Sequence, residues 1–173
     1  MDLSSVVIIT TRLKISPVTK QYIQNIFDET TPDITKYLTF DNSGNIQDTE
    51  KFISESKIKI EAKTDLIVTM VTIITGDFIG CAGIHNINTS HPELGIWIKK
   101  SAQRKGFGRE TIKALIDWMK ANLIYEYISY PVSKENIASR KLIESFGGVI
   151  KAERLFTSPT GKILDEAEYR LFP

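Results

Sequence analysis

A mixed α/β fold, with a mostly antiparallel sheet of about six to seven strands and helices on both faces, is what this sequence of 173 residues predicts. Three observations carry that prediction. Apolar runs rich in β-branched residues follow one another at 66–75, 78–85 and 93–99, joined by short polar links. Ile112, Leu115, Ile116 and Met119 fall at i, i+3, i+4 and i+7, the stripe of a helix laid on a sheet. Strand-like patterning returns around the turn Ser158-Pro159-Thr160-Gly161, which predicts a closing hairpin.

In chain order, Val6–Ile15 reads as a strand. Pro17-Val18-Thr19 introduces a helix to about Asp28, on which Tyr22, Ile23 and Ile26 share a face, and Thr31-Pro32 breaks it. Residues 37–48, centred on Asn42-Ser43-Gly44-Asn45, read as a loop before a helix from about Thr49 to Ala62. Leu66–Thr75 and Phe78–His85 form a hairpin about Thr75-Gly76-Asp77, and Glu93–Lys99 returns as a third antiparallel strand. After the helix that carries Ile112 come a strand at Tyr125–Val132 and a helix from Asn136 to Phe146 stopped by Gly147-Gly148. Val149–Phe156 and Ala167–Phe172 close the sheet. With no repeat, linker or low-complexity tract, residues 1–173 read as one domain.

Composition narrows the function classes. A formal net charge of +1 gives no electrostatic reason to expect nucleic acid. The lone Cys81 rules out an internal disulfide, and with only His85 and His91 beside it no metal site is expected, which suits a reducing cytoplasm. Cys81 itself lies in an apolar run and reads as a small buried hydrophobe. No segment approaches 18 apolar residues, so no membrane span is expected.

The segment Gln103-Arg104-Lys105-Gly106-Phe107-Gly108 lies between a strand-like and a helix-like run, where free helix N-terminal amides converge on an anion. Gly106 and Gly108 allow positive φ and close backbone approach, while Arg104, Lys105 and Arg109 add positive charge. The spacing matches neither a P-loop nor a dinucleotide-binding G-x-G-x-x-G.

Gln-x-x-Gly-x-Gly after a strand resembles the pyrophosphate-binding motif of the GCN5-related N-acetyltransferases (GNAT), where it holds acetyl-coenzyme A. Glu93-Leu94-Gly95-Ile96-Trp97-Ile98 resembles that family's fourth strand, and Gly108-Arg109-Glu110 the start of its third helix. Asn136-Ile137-Ala138-Ser139-Arg140 with Phe146-Gly147 resembles its second block. Thr11-Arg12-Leu13-Lys14-Ile15 is similar to the opening strand of the branch that contains the ribosomal-protein N-terminal acetyltransferases.

The resemblance implies that the strands at 93–99 and 125–132 are parallel and splay apart, commonly at a bulge, leaving a slot for pantetheine. Backbone of Ile96, Trp97 and Ile98 would bind the arm as though it were another strand, and an N–H near Ile98 would face the thioester oxygen. Asn136 would bond the arm from the opposite wall, although helix capping explains Asn136 and Ser139 as well. Direct transfer to an amine needs a base, and Glu93 is the first candidate, with His85 the second. The family's usual tyrosine acid is replaced by Ile143, which leaves Ser139 or water as proton donor to the thiolate, with Tyr130 and Tyr125 as substitutes.

The implied activity is acetyl transfer to a primary amine, whether a protein N-terminus, a polyamine, an amino sugar or another small molecule, by a monomer or homodimer. A catalytically inactive coenzyme A sensor of the same fold is the alternative, and a nucleic-acid or protein adaptor would need a basic face. Asp28, Glu29, Asp33 and Asp41 either attract a cationic acceptor or serve only solubility.

Overall fold

The computed structural model describes residues 2–173. Its strands are β1 Ile8–Ile9, β2 Leu13–Pro17, β3 Leu66–Thr72, β4 Phe78–His85, β5 Glu93–Ile98, β6 Ile128–Ser133, β7 Val149–Thr157 and β8 Ile163–Leu171. The helices are α1 Ile23–Glu29, α2 Pro32–Thr35, α3 Ile46–Glu61, α4 Phe107–Asn122 and α5 Ile137–Glu144. One eight-stranded sheet runs in the order β1-β2-β3-β4-β5-β6-β8-β7, antiparallel throughout except between β5 and β6.

The eighth strand, beyond the six or seven expected, arises because the run Val6–Ile15 folds back on itself. The Thr10 hydroxyl accepts from the Leu13 amide (2.9 Å), and the Thr10 amide donates to the Leu13 carbonyl (2.9 Å), so a turn replaces mid-strand. Several boundaries also move, β6 starting at Ile128 and β3 ending at Thr72 among them, and three have a visible cause. Thr31-Pro32 ends α1 but then starts α2, with Pro32 in the first turn, where its missing N–H costs nothing. Helix α3 begins at Ile46 because Asn45 caps it, accepting from the Gln47 amide. Strand β8 begins at Ile163, pairing back to Thr157.

Alternation assigns the two faces of the sheet. Leu66, Val68 and Met70 of β3, Leu94 of β5 and Ile128, Tyr130 and Val132 of β6 pack with Ile112, Leu115, Ile116 and Met119 of α4 and Ile143 of α5. On the opposite face Ile67, Phe78 and Cys81 meet Val18, Ile26 and Ile53, with Trp97 laid against them. Cys81 is buried there, and desolvation lifts its thiol far above the ordinary range, so it is no nucleophile at neutral pH. Among the described residues, no helix is long and apolar enough to cross a membrane.

The β5–β6 junction positions the site. Only Glu93↔Ser129 pairs there, whereas β6 and β8 pair over six positions. The Ser129 amide donates to the Pro92 carbonyl (2.8 Å), so odd-numbered β6 residues direct their amides toward β5. The next of these is Pro131, which has no N–H to donate, so the parallel ladder cannot continue there. A proline, rather than the expected bulge, coincides with the splay.

Candidate active site

The gap widens toward the loop at 103–109. The same parity that aims the Pro92 carbonyl at β6 aims the backbone of Ile96 and Ile98 into the gap, while Trp97 is directed to its β4 partner Cys81. The Ile98 carbonyl accepts from Gln103 Nε2 (3.1 Å), which ties the loop to the strand end and leaves the Ile98 amide facing the gap. Of the three backbone segments expected to line a pantetheine slot, two face it. Trp97 instead presents its indole to the cavity walls.

Helix α4 opens on this gap with Gly106 as its N-cap at φ 86°, and no side chain caps its first turn. The free amides are therefore available to an anion. Positive φ falls on Gly106 and, less expectedly, on Arg104 at φ 59°, a conformation costing a non-glycine residue of order 1–3 kcal/mol. Gly108 is ordinary helix, so its expected conformational role is not used. Lys105 and Phe107 complete the loop, and Arg12 spans it. Its guanidinium pairs with Glu110 (2.7 Å), donates to the Lys105 carbonyl (2.9 Å) and stacks over the Phe107 ring at 4.4 Å. Burial raises the Glu110 pKa, but the Thr10 hydroxyl and the Arg12 amide and guanidinium outweigh it and hold the carboxyl below its ordinary value. Arg109 also lines the cavity at the start of α4, its guanidinium donating to the Ser145 hydroxyl and stacking on the Phe146 ring.

A cavity of about 600 Å³ runs from this loop past Ile96–Ile98 to Asn136 and Ser139, and shares those two with a second cavity of about 310 Å³ holding Glu93, His85 and Glu166. Asn136 caps α5, its side chain accepting from the Ser139 amide at 3.2 Å, so the capping role is real while the residue also lines both cavities. The Ser139 hydroxyl is 2.8 Å from that of Tyr130, which is buried and whose pKa burial raises. Tyr125 is elsewhere: its hydroxyl is buried without a hydrogen-bond partner among the described residues, and it lines none of these cavities.

Glu93 sits at the closed end of the gap, the carboxyl largely buried with no hydrogen bond or ion pair to it among the described residues. Burial raises its pKa, partly offset by His85 and Arg154 nearby. Glu93 pairs across the sheet with His85, whose Nδ1 is 2.6 Å from the buried Asp65 carboxylate. That bond fixes the ring and leaves Nε2 for the cavity. Nε2 lies over the backbone of Gly83, 2.8 Å from where a Cβ would stand, so only glycine admits this pose. Asp65 gave no sequence signal, being one polar residue before an apolar run. Pro131 did carry one, since proline inside a central strand is a rule violation that marks lost pairing.

The segment 36–45 walls the cavities on the side away from α5. Lys162, from the β7–β8 turn, donates to the carbonyls of Thr35 (2.9 Å), Leu38 (3.2 Å) and Phe40 (3.4 Å) and pairs with Asp41 (2.5 Å). The Lys162 ammonium is the main cause of the lowered Asp41 pKa. Asp33 pairs with Lys100 (3.2 Å) and Asp28 accepts from Gln24 (2.8 Å). Of the four carboxylates for which the sequence left cation attraction open, Asp28, Asp33 and Asp41 are therefore engaged within the chain.

Comparison with known proteins agrees with this geometry. The family model described as acetyltransferase (GNAT) domain matches residues 12–149. An uncharacterised protein of Methanocaldococcus jannaschii is 31% identical over 88 residues, half of this chain, and the match spans only 18% of that relative's length. Among solved structures, the spermidine N-acetyltransferase of Vibrio cholerae, in complex with CoA and spermine, superposes with a TM-score of 0.80 at 19% identity, covering 94% of this chain and 96% of that one. The Salmonella typhimurium acetyltransferase that modifies the N-terminal serine of ribosomal protein L7/L12 gives 0.84 at 12%, covering 97% and 99%. The microcin C7 self-immunity acetyltransferase, in complex with acetyl-CoA and AMP, gives 0.82 at 17%, covering 95% and 94%.

Proposed function

Because the chain belongs to the GNAT family of acetyltransferases and is an acetyl-CoA-dependent acyltransferase, we propose that it acetylates a primary amine in a ternary complex, with Glu93 as base and Ser139 as acid. The observation that carries this reading is one continuous groove. It joins the uncapped α4 N-terminus, the backbone facing the β5–β6 gap and a half-buried Glu93 carboxylate without a partner among the described residues.

Acetyl-CoA supplies an activated acetyl thioester. The α4 amides with Arg104 and Lys105 hold its phosphates, and the Ile96 and Ile98 backbone with Asn136 holds its extended arm. The Ile98 amide donates to the oxygen on which negative charge develops. Glu93 accepts one proton from the acceptor ammonium, generating the neutral amine, and its raised pKa makes it a stronger base than an exposed carboxylate. The C–N bond forms and the C–S bond breaks. Ser139, in contact with the Tyr130 hydroxyl, donates a proton to the departing thiolate and is replenished by the second proton of the amine. The products are an amide and a thiol, with one proton released net. His85, oriented by Asp65, stands beside Glu93 to pass that proton outward.

The relatives acting on spermidine, a ribosomal-protein N-terminus and microcin C7 support an amine or amine-bearing acceptor without selecting among these classes. The test is release of free thiol from acetyl-CoA with an amine panel, run on the wild-type chain and on Glu93→Gln. Turnover abolished in Glu93→Gln with CoA binding retained supports the assignment. CoA binding without turnover on any amine identifies a sensor.

A further inference from the structure

We propose that the acceptor is a monoamine carrying a compact apolar group, its ammonium at Glu93 and its apolar group in a side cavity between Phe40, Phe52 and Trp97. The inference deepens the acetyltransferase reading and rests on it. Two independent observations point to this class.

The first is shape and surface. A separate cavity of about 230 Å³ lies beside the groove and shares with its Glu93 chamber the residues Phe40, Phe52 and Trp97. Phe40 and Phe52 remain 40% and 37% exposed, two aromatic rings turned to the same space, with Ile26 beneath. Apolar surface left open within a concave site is covered favourably by the apolar part of a ligand.

The second is charge. A polyamine or an aminoglycoside brings further ammonium groups into the groove, and each needs a carboxylate once its water is removed. Those near the groove are occupied: Asp41 by Lys162, Glu166 by Arg154 (3.0 Å) and Glu168 by Arg170 (2.7 Å). Asp48 accepts from Ser43 and sits in the positive first turn of α3. Within the Glu93 chamber itself, Glu93 is the one lining carboxylate without a partner among the described residues, enough for a single ammonium there.

The experiment uses the full chain, acetyl-CoA and thiol release. The acceptors are methylamine, butylamine, hexylamine and phenethylamine, then spermidine, kanamycin and a short peptide with a free N-terminus. The four monoamines vary apolar bulk, so their series reads the side cavity. Expected is a rise in kcat/KM of about 100-fold or more from methylamine to the best apolar amine, since each methylene in a matched pocket is worth roughly tenfold. Phenethylamine or hexylamine should exceed spermidine, kanamycin and peptide alike. Thr49→Trp, which fills the cavity from its α3 wall, should lower the ratio of kcat/KM for phenethylamine to that for methylamine by about tenfold, with CoA affinity reporting that the chain still folds. A flat series, an unchanged ratio in Thr49→Trp, or preference for spermidine, kanamycin or peptide overturns the monoamine inference and leaves acetyl transfer standing. No turnover with any of the amines overturns the acetyltransferase reading itself.

Discussion

The loop at 103–109 and the wall at 36–45 face each other across one groove, yet they are built in opposite ways. The loop is local: a strand, a positive-φ glycine and an uncapped helix start lie within a dozen residues, and distant Arg12 only braces them. The wall has little regular structure of its own and is held from outside: Asn42 ties it to the end of α1, and Lys162, more than 120 residues away in sequence, gathers its carbonyls. A shared co-substrate is bound by chemistry that sequence neighbours can supply. An acceptor is selected by surfaces that only folding brings together, and these can drift without disturbing the donor half.

That contrast breaks most sharply at Glu93. Glu93→Gln should lower kcat/KM by about 10²–10⁴-fold, the usual worth of a general base, while CoA affinity measured by calorimetry stays unchanged. The same variant should raise the Tm at pH 7. A folded pKa above the ordinary 4.5 means that ionisation costs more in the fold than in the unfolded chain, so stability is lost as pH rises through that interval, and glutamine removes the loss. In the wild type, the acid limb of kcat/KM should accordingly lie above pH 4.5.

Gly106→Val should act on the donor half alone. A branched side chain at φ 86° costs about 1–3 kcal/mol, which should weaken CoA binding by roughly 5–150-fold and leave the amine KM within a factor of about two. If both fall together, the halves are coupled and the contrast fails. Lys162→Met should do the reverse, leaving the Thr35 carbonyl and the wall carbonyls of Leu38 and Phe40 without their donor and raising the amine KM by about tenfold, for a cost of about 1–3 kcal/mol, with CoA affinity intact.

The smallest effect belongs to the brace. Glu110→Gln should destabilise the chain by about 1 kcal/mol, discounted because Arg12 is half exposed. Because the folded Glu110 pKa is lowered, its contribution is present above pH 4.5 and disappears as pH falls through the folded value. Melting temperatures of the wild type and Glu110→Gln should therefore converge toward acid pH.

Much of this molecule was legible beforehand. Apolar runs rich in β-branched residues placed β3, β4 and β5, the stripe from Ile112 to Met119 placed α4, and the glycine motif at 103–108 placed the loop that opens it, because each signal is confined to one element. The run Val6–Ile15 was read too simply, since the Thr10 hydroxyl that closes its turn leaves no mark on hydrophobic patterning. The role of the acidic residues stayed open in the sequence for a related reason. Composition counts carboxylates, but whether one attracts a ligand depends on whether Lys162 or Lys100 has already reached it. Pro131 was the missed opportunity, a residue whose lack of an N–H bears directly on where two central strands part.

By itself, then, the sequence determined most of the elements, the two faces of the sheet and the glycine loop that opens α4, all of which rest on local dihedral preference and short-range patterning. Tertiary structure alone decided that Asp65 orients His85, that Tyr130 touches Ser139, that Lys162 gathers the wall at 36–45 and that Glu93 stays unpaired. Those four depend on distances between residues on different elements, and a hydrogen bond or an unpaired charge exists only once such distances are set.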